Sequence, residues 1–133
     1  MDMGLKGKRA LITGGSKGIG LAAAKGLAEE GVLPIIVSRT AADLERAVQS
    51  IKQATGVDAD FRAVDLSNGD AARSLVAEFS DIDILVNNAG AIPPGTVEEV
   101  QEQRWREAWD LKVFGYINMT RAVYTNMRRQ GHG

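Results

Sequence analysis

The chain has 133 residues, of which 44% are hydrophobic and 25% charged, a composition typical of one globular domain or part of one. Its formal charge of -1 argues against nucleic acid or an anionic membrane as a partner. The absence of cysteine and the single histidine exclude a disulfide framework and leave no candidate metal site. Because the sequence also has no signal peptide and no apolar run that could span a membrane, we expect a cytoplasmic location.

Short apolar runs alternate with helical patterns along the chain. In order, we predict a strand at 8–13, a helix at 18–30, a strand at 33–37, a helix at 41–55, a strand at 61–64, a helix near 71–79, a strand at 82–86 and a long helix at 101–129. Strands that alternate with helices predict βαβ units and parallel pairing. The expected fold is therefore a Rossmann-like α/β fold, a doubly wound parallel sheet with strand order 3-2-1-4.

A glycine-rich segment, Thr13-Gly14-Gly15-Ser16-Lys17-Gly18-Ile19-Gly20, joins the first strand to the first helix. One glycine permits a tight turn, one lets the backbone approach a pyrophosphate, and one allows helix and strand to pack closely. The helix N-terminus directs free N–H groups at the phosphates. The segment is not a Walker loop, because Gly18 follows Lys17. An ordinary glycine turn is the alternative, but the position inside a βαβ unit favours phosphate binding.

The end of the second strand indicates which dinucleotide is bound. The strand ends in Ser38-Arg39, and no acidic residue follows before Asp43. A carboxylate at the strand end would favour NAD, whereas a guanidinium can hold a 2′-phosphate bidentately. Lys17 adds a second cation. The sequence therefore predicts NADP (NADPH) in preference to NAD, the alternative being that Arg39 is a solvated surface residue.

Together with Asn87-Asn88-Ala89-Gly90, the glycine segment resembles the short-chain dehydrogenase/reductase family, from about Leu5 to the end of the chain. The resemblance implies that Asp65 and Leu66 contact adenine, that the three residues after Asn87 line the ribose side, and that Asn87 ties the fourth strand to its neighbours. A helix N-terminal carboxylate and a simple turn are the alternatives for Asp65 and the Asn pair. The predicted cofactor-binding residues are Gly14, Ser16, Lys17, Gly18, Ile19, Gly20, Ser38, Arg39, Asp65, Leu66, Asn87, Asn88, Ala89 and Gly90.

The family's chemistry is hydride transfer between nicotinamide and a carbonyl or secondary alcohol, with a serine and a Tyr-x-x-x-Lys pair in catalysis. This sequence has no such pair, since Thr120 follows Tyr116 and Arg128 follows Tyr124 at that spacing. The resemblance therefore implies that residues 1–133 are the N-terminal portion of a single NAD(P)-binding domain, truncated before a fifth strand. We expect an apolar fourth strand at the sheet edge and no activity from this chain alone.

Two expectations concern the long helix at 101–129. Lys112 is at the position of the family's relay asparagine, counting back from Gly115, and is either a proton-relay group or a solvated lysine. Helical spacing places Trp105, Trp109, Val113 and Tyr116 on one face. By resemblance this helix packs against its copy, which implies a homo-oligomer.

Two functions remain open after these observations. The first is an NADP-dependent oxidoreductase that acts, when full length, on a small-molecule carbonyl or alcohol. The second is a non-catalytic module, a truncated homologue that binds NADP without turnover. A continuation beyond Gly133 that contains the serine and the Tyr-x-x-x-Lys pair would distinguish them.

Overall fold

Four strands alternate with helices in the computed structural model, which describes residues 1–133. The elements are β1 (Arg9–Thr13), α1 (Gly18–Glu29), β2 (Leu33–Ser38), α2 (Ala41–Thr55), β3 (Asp60–Ala63), α3 (Gly69–Glu78), β4 (Ile84–Val86), α4 (Glu102–Trp109) and α5 (Gly115–Gln130). All strand pairs are parallel, and the strand order is β3-β2-β1-β4. The predicted fold class and strand order are thus confirmed, with element ends shifted by one or two residues.

The sheet lies between two apolar layers. Leu11 and Val37 pack with buried residues of α3 and α5, whereas Ile12 and Ile36 pack with buried residues of α1 and α2. Because both faces of the sheet are covered, β1 and β2 are continuous apolar runs in the sequence. β4 pairs only with β1 and is half-buried. No helix is long and apolar enough to cross a membrane.

The long helix expected at 101–129 is present over residues 102–130, but it is not α-helical throughout. Residues 110–114 form a π-helical turn between α4 and α5, in which the Gly115 N–H donates to the Asp110 carbonyl. This turn holds more residues than an α-helical turn and therefore changes which residues share a face. The predicted face is wrong beyond Trp109, because Phe114 joins Trp105 and Trp109 around one shallow cleft. Tyr116 instead lies with Asn87 and Thr120.

Candidate functional site

The glycine-rich segment forms a turn between β1 and α1 that only glycine can make at its first position. Gly14 has a φ of +64°, in the left-handed region that disfavours other side chains. A Cβ added to Gly14 would lie 2.8 Å from Asn88 Nδ2 and 3.0 Å from Ala89 Cα. The turn therefore contacts the segment that follows β4.

The first turn of α1 packs directly onto this glycine turn through Gly20. A Cβ there would lie 2.1 Å from the Gly14 carbonyl oxygen and 2.6 Å from Asn88 Nδ2. Gly18 has a φ of +52°, and a Cβ added to it would have no neighbouring atom within 4 Å. The predicted turn and close-packing roles of the glycines are confirmed. The open side at Gly18 fits the predicted approach of a phosphate at the N-terminus of α1.

Thr13, the last residue of β1, links the glycine turn to the segment after β4. Its hydroxyl is buried, donates to the Val86 carbonyl at 3.3 Å and accepts from the N–H groups of Asn88 and Ala89 at 2.9 and 3.0 Å. The Asn88 side chain donates in return to the carbonyl oxygens of Thr13 and Gly14, each at 3.2 Å. Thr13 is not among the cofactor-binding residues predicted from the sequence. A threonine that ends a buried strand before a glycine turn was the available signal.

The two asparagines hydrogen-bond to different neighbours of β4. Asn88 ties the segment after β4 to β1 through the hydrogen bonds just described. The Asn87 side chain donates to the Thr120 hydroxyl at 3.0 Å and thereby joins β4 to α5. Its Oδ1 is buried and accepts no hydrogen bond. The sequence could not assign this partner of Asn87, because Thr120 is 33 residues away along the chain.

A cleft of about 350 Å³ opens at the carboxyl ends of β1 and β2. Eight of the predicted cofactor-binding residues line it: Gly14, Ser16, Lys17, Ser38, Arg39, Leu66, Ala89 and Gly90. A neighbouring cleft of about 400 Å³ shares Arg39 and includes Asp65. Gly18, Ile19, Gly20, Asn87 and Asn88 line neither cleft. Ile19 projects into solvent from the turn, with 81% of its surface exposed.

The cleft contains a carboxylate that the sequence analysis did not place there. Asp43, in the first turn of α2, lines the cleft with Lys17 and Arg39. Its Oδ2 is 3.2 Å from Lys17 Nζ, and its other oxygen pairs with Arg46. Because β1 and β2 are adjacent and parallel, the two helices that follow them begin side by side. This adjacency brings Lys17 and Asp43 together although they are distant in sequence.

At the end of β2, two polar groups have no partner in the protein. The Ser38 hydroxyl is buried and makes no hydrogen bond. The Arg39 guanidinium is exposed, forms no ion pair and borders both clefts. A buried hydroxyl without a partner is costly unless a ligand or water satisfies it. These two groups therefore suit a polar ligand in the cleft.

Asp65 is held as an acceptor beside Arg39. Its carboxylate accepts from the Ser67 hydroxyl at 2.7 Å and the Ser67 N–H at 3.0 Å. These bonds, with a smaller contribution from the charge of Arg39, lower the pKa of the Asp65 carboxyl below its ordinary value. The group therefore stays ionised at neutral pH, which is the state that can accept a hydrogen bond from an amine. Leu66 next to it is buried and forms part of the cleft wall.

Lys112 projects from the π-helical turn towards Gly90. A Cβ added to Gly90 would lie 3.2 Å from Lys112 Nζ, so the ammonium lies against the glycine of the Asn-Asn-Ala-Gly segment. The same Nζ is 5.8 Å from the centroid of the Tyr116 ring. The side chain is exposed and forms no ion pair.

No cluster of His, Asp or Glu in the chain could hold a metal ion.

Comparison with known proteins identifies relatives of this chain. A family model described as short chain dehydrogenase matches residues 8–133. The chain is 38% identical to the short-chain reductase protein NovJ of Streptomyces niveus, over 93% of this chain and 48% of that protein. It is 37% identical to gluconate 5-dehydrogenase of Gluconobacter oxydans, over 97% of this chain and 52% of that protein.

A solved structure agrees in fold as well as in sequence. The crystal structure of L-sorbose reductase from Gluconobacter frateurii, complexed with NADPH and L-sorbose, matches with a TM-score of 0.86 and 38% identity. The match covers 98% of this chain and 51% of that one. The chain thus spans about half the length of the relatives it matches.

Proposed function

The chain belongs to the short-chain dehydrogenase family, and from this we propose that it provides the cofactor site of an NADP-dependent oxidoreductase. The reaction is hydride transfer between nicotinamide and a small-molecule carbonyl or secondary alcohol, and the bound dinucleotide supplies or accepts the hydride. The observation that supports NADP is the unpaired Arg39 guanidinium at the end of β2, with Lys17 facing the same cleft. A 2′-phosphate is a ligand that both cations would bind.

Different groups at the cleft would bind different parts of the dinucleotide. The Gly18 backbone and the N-terminus of α1 would receive the pyrophosphate, because this open face offers N–H groups and no side chain. Asp65 would accept from the adenine amine, with Leu66 against the ring. Ala89 and Gly90, held in place by Thr13, would line the ribose side. Ser38 offers its buried hydroxyl to the sugar or phosphate next to Arg39.

Replacing Arg39 by Gln is expected to weaken NADPH binding about 10- to 100-fold, because charge-assisted hydrogen bonds to the 2′-phosphate are lost. NADH binding should change little, since that nucleotide has no phosphate there. Dissociation constants from fluorescence titration of both nucleotides measure the effect. Arg129→Gln is the matched control, because it removes the same charge from an exposed site at the end of α5. Equal losses of affinity for NADPH and NADH in Arg39→Gln would contradict the proposed preference.

We propose further that residues 1–133 are the N-terminal portion of a single nucleotide-binding domain, truncated before a fifth strand. The half-length match to the relatives, the half-buried β4 edge and the unpaired Asn87 Oδ1 support this. Because the chain lacks a Tyr-x-x-x-Lys pair, we expect it to bind NADPH without oxidising it when carbonyl substrates are added. A dinucleotide-binding module without catalysis is the second candidate, and the same absence is consistent with it without favouring it over the oxidoreductase. Turnover by the 133-residue chain would contradict both statements.

Lys112 is the one candidate catalytic residue of this chain. Its ammonium lies beside Gly90, at the wall of the proposed cofactor cleft, where it can take part in a proton relay. In an active protein that contains this chain, a pH–rate profile unchanged by Lys112→Asn would leave Lys112 as a solvated lysine.

We also propose that the α4–α5 face forms a homo-oligomer. Four large apolar or aromatic side chains of α4, α5 and the turn between them are more than 45% exposed, namely Trp109 at 57%, Phe114 at 54%, Ile117 at 47% and Tyr124 at 61%. Trp109 and Phe114 line one cleft, Ile117 and Tyr124 line another, and grouped exposed apolar residues are typical of protein interfaces. A monomeric mass at micromolar concentration would contradict this assembly.

A further inference from the structure

Three charged side chains meet where α1 and α2 begin. Lys17 Nζ lies 3.2 Å from Asp43 Oδ2, and Asp43 also pairs with Arg46, one turn further along α2. The Asp43 side chain is only 17% exposed, whereas those of Lys17 and Arg46 are at least 70% exposed. The carboxylate is therefore fixed at the cleft wall, and the two cations reach it from solvent.

We infer that Asp43 is an internal counter-ion that competes with the 2′-phosphate of NADP for Lys17 and so reduces the preference for NADP over NAD. The inference rests on the proposed function. Lys17 and Asp43 line the same cleft as Arg39, so an anion held by both cations must draw Lys17 away from Asp43. NADH has no 2′-phosphate, so the Lys17–Asp43 pair stays intact when NADH binds.

The exchange of partners is feasible because Asp43 does not lose all its stabilisation when Lys17 leaves. Arg46 remains paired with it, and the N-terminus of α2 favours a carboxylate in its first turn. An exposed ion pair such as that of Lys17 contributes little by itself. Asp43 therefore modulates affinity for the phosphate and does not block it.

The test is titration of NADPH and NADH into the 133-residue chain with Asp43→Asn. We expect NADPH binding to tighten about two- to fivefold, the range for a surface ion pair, and NADH binding to be unchanged. Glu45→Gln is the matched control, because it removes the same charge from an exposed position on the same helix. Equal tightening in the control, or none in Asp43→Asn, overturns the inference.

A double variant separates competition from simple repulsion. In a Lys17→Gln background, Asp43→Asn should no longer tighten NADPH binding, since the contested cation is gone. Equal tightening with and without Lys17 would assign the effect to repulsion of the phosphate and would overturn the inference. If Asp43→Asn does not fold, Arg46→Gln provides the opposite test. Without Arg46, Asp43 pairs with Lys17 alone, and we expect the affinity for NADPH to fall more than the affinity for NADH. No binding of either nucleotide by the unaltered chain would instead contradict the proposed function.

Discussion

Gly20→Ala is expected to destabilise the chain by about 3 kcal/mol or more, at or above the upper end of the usual range for overpacking. The new Cβ would lie 2.1 Å from the Gly14 carbonyl oxygen and 2.8 Å from its carbon. These are backbone atoms, so no side chain can rotate away, and α1 must move off the glycine turn. Because the same movement displaces the open face at Gly18, we also expect NADPH binding to be lost. The free energy of unfolding from urea titration and a nucleotide titration measure the two effects.

Gly26→Ala is the matched control for Gly20→Ala. Gly26 is in the same helix, and a Cβ there would have no neighbour within 4 Å. Alanine should stabilise this helical position by about 0.5 to 1 kcal/mol, because it loses less backbone freedom on folding. Equal effects of the two substitutions on unfolding would show that α1 does not pack closely on the glycine turn.

Thr13→Val is expected to cost about 2 to 4 kcal/mol although valine has almost the same shape. The substitution removes the acceptor for the N–H groups of Asn88 and Ala89, and a buried donor without a partner costs about 1 to 3 kcal/mol. The segment after β4 would then be held to β1 mainly by the Asn88 side chain. We therefore expect weaker nucleotide binding as well, measured with the same titrations.

Two further substitutions isolate the hydroxyl as the cause. Thr13→Ser keeps the acceptor and should restore most of the stability. Thr125→Val removes a hydroxyl that donates to the Arg121 carbonyl on the exposed side of α5, and it should change the stability by less than about 0.5 kcal/mol. Similar losses in Thr13→Val and Thr13→Ser would contradict the role of the Thr13 hydroxyl as the link between the motifs.

Sequence reasoning succeeded where the determinants are local. The apolar runs of β1 and β2 predicted strands because both faces of the sheet are buried, and the helical spacing in α1 and α2 predicted helices because each helix buries one face. The G-x-x-x-G-x-G spacing predicted a turn and a close helix contact, and Gly14 and Gly20 provide them.

The π-helical turn had no such local signal. Apolar spacing in 101–129 fits a continuous α-helix, and the extra residue at 110–114 changes only which side chains align across the turn. After the turn, buried Gly115 lies against the backbone of Leu66, in the segment between β3 and α3, since a Cβ on Gly115 would be 3.0 Å from the Leu66 carbonyl oxygen. This contact joins segments about 50 residues apart, and the hydrophobic pattern of one helix does not contain it.

By itself, the sequence determined the strands and helices and, through their alternation, the doubly wound fold class, because hydrophobic periodicity and glycine placement act within one element at a time. Only the tertiary structure decided which charges and hydroxyls meet at the carboxyl edge of the sheet. Thr13 meets Asn88, and Lys17 meets Asp43, because parallel strands bring their carboxyl ends to one edge of the sheet. Hydrogen bonds and ion pairs depend on distances of about 3 Å between atoms, and these distances are set by packing.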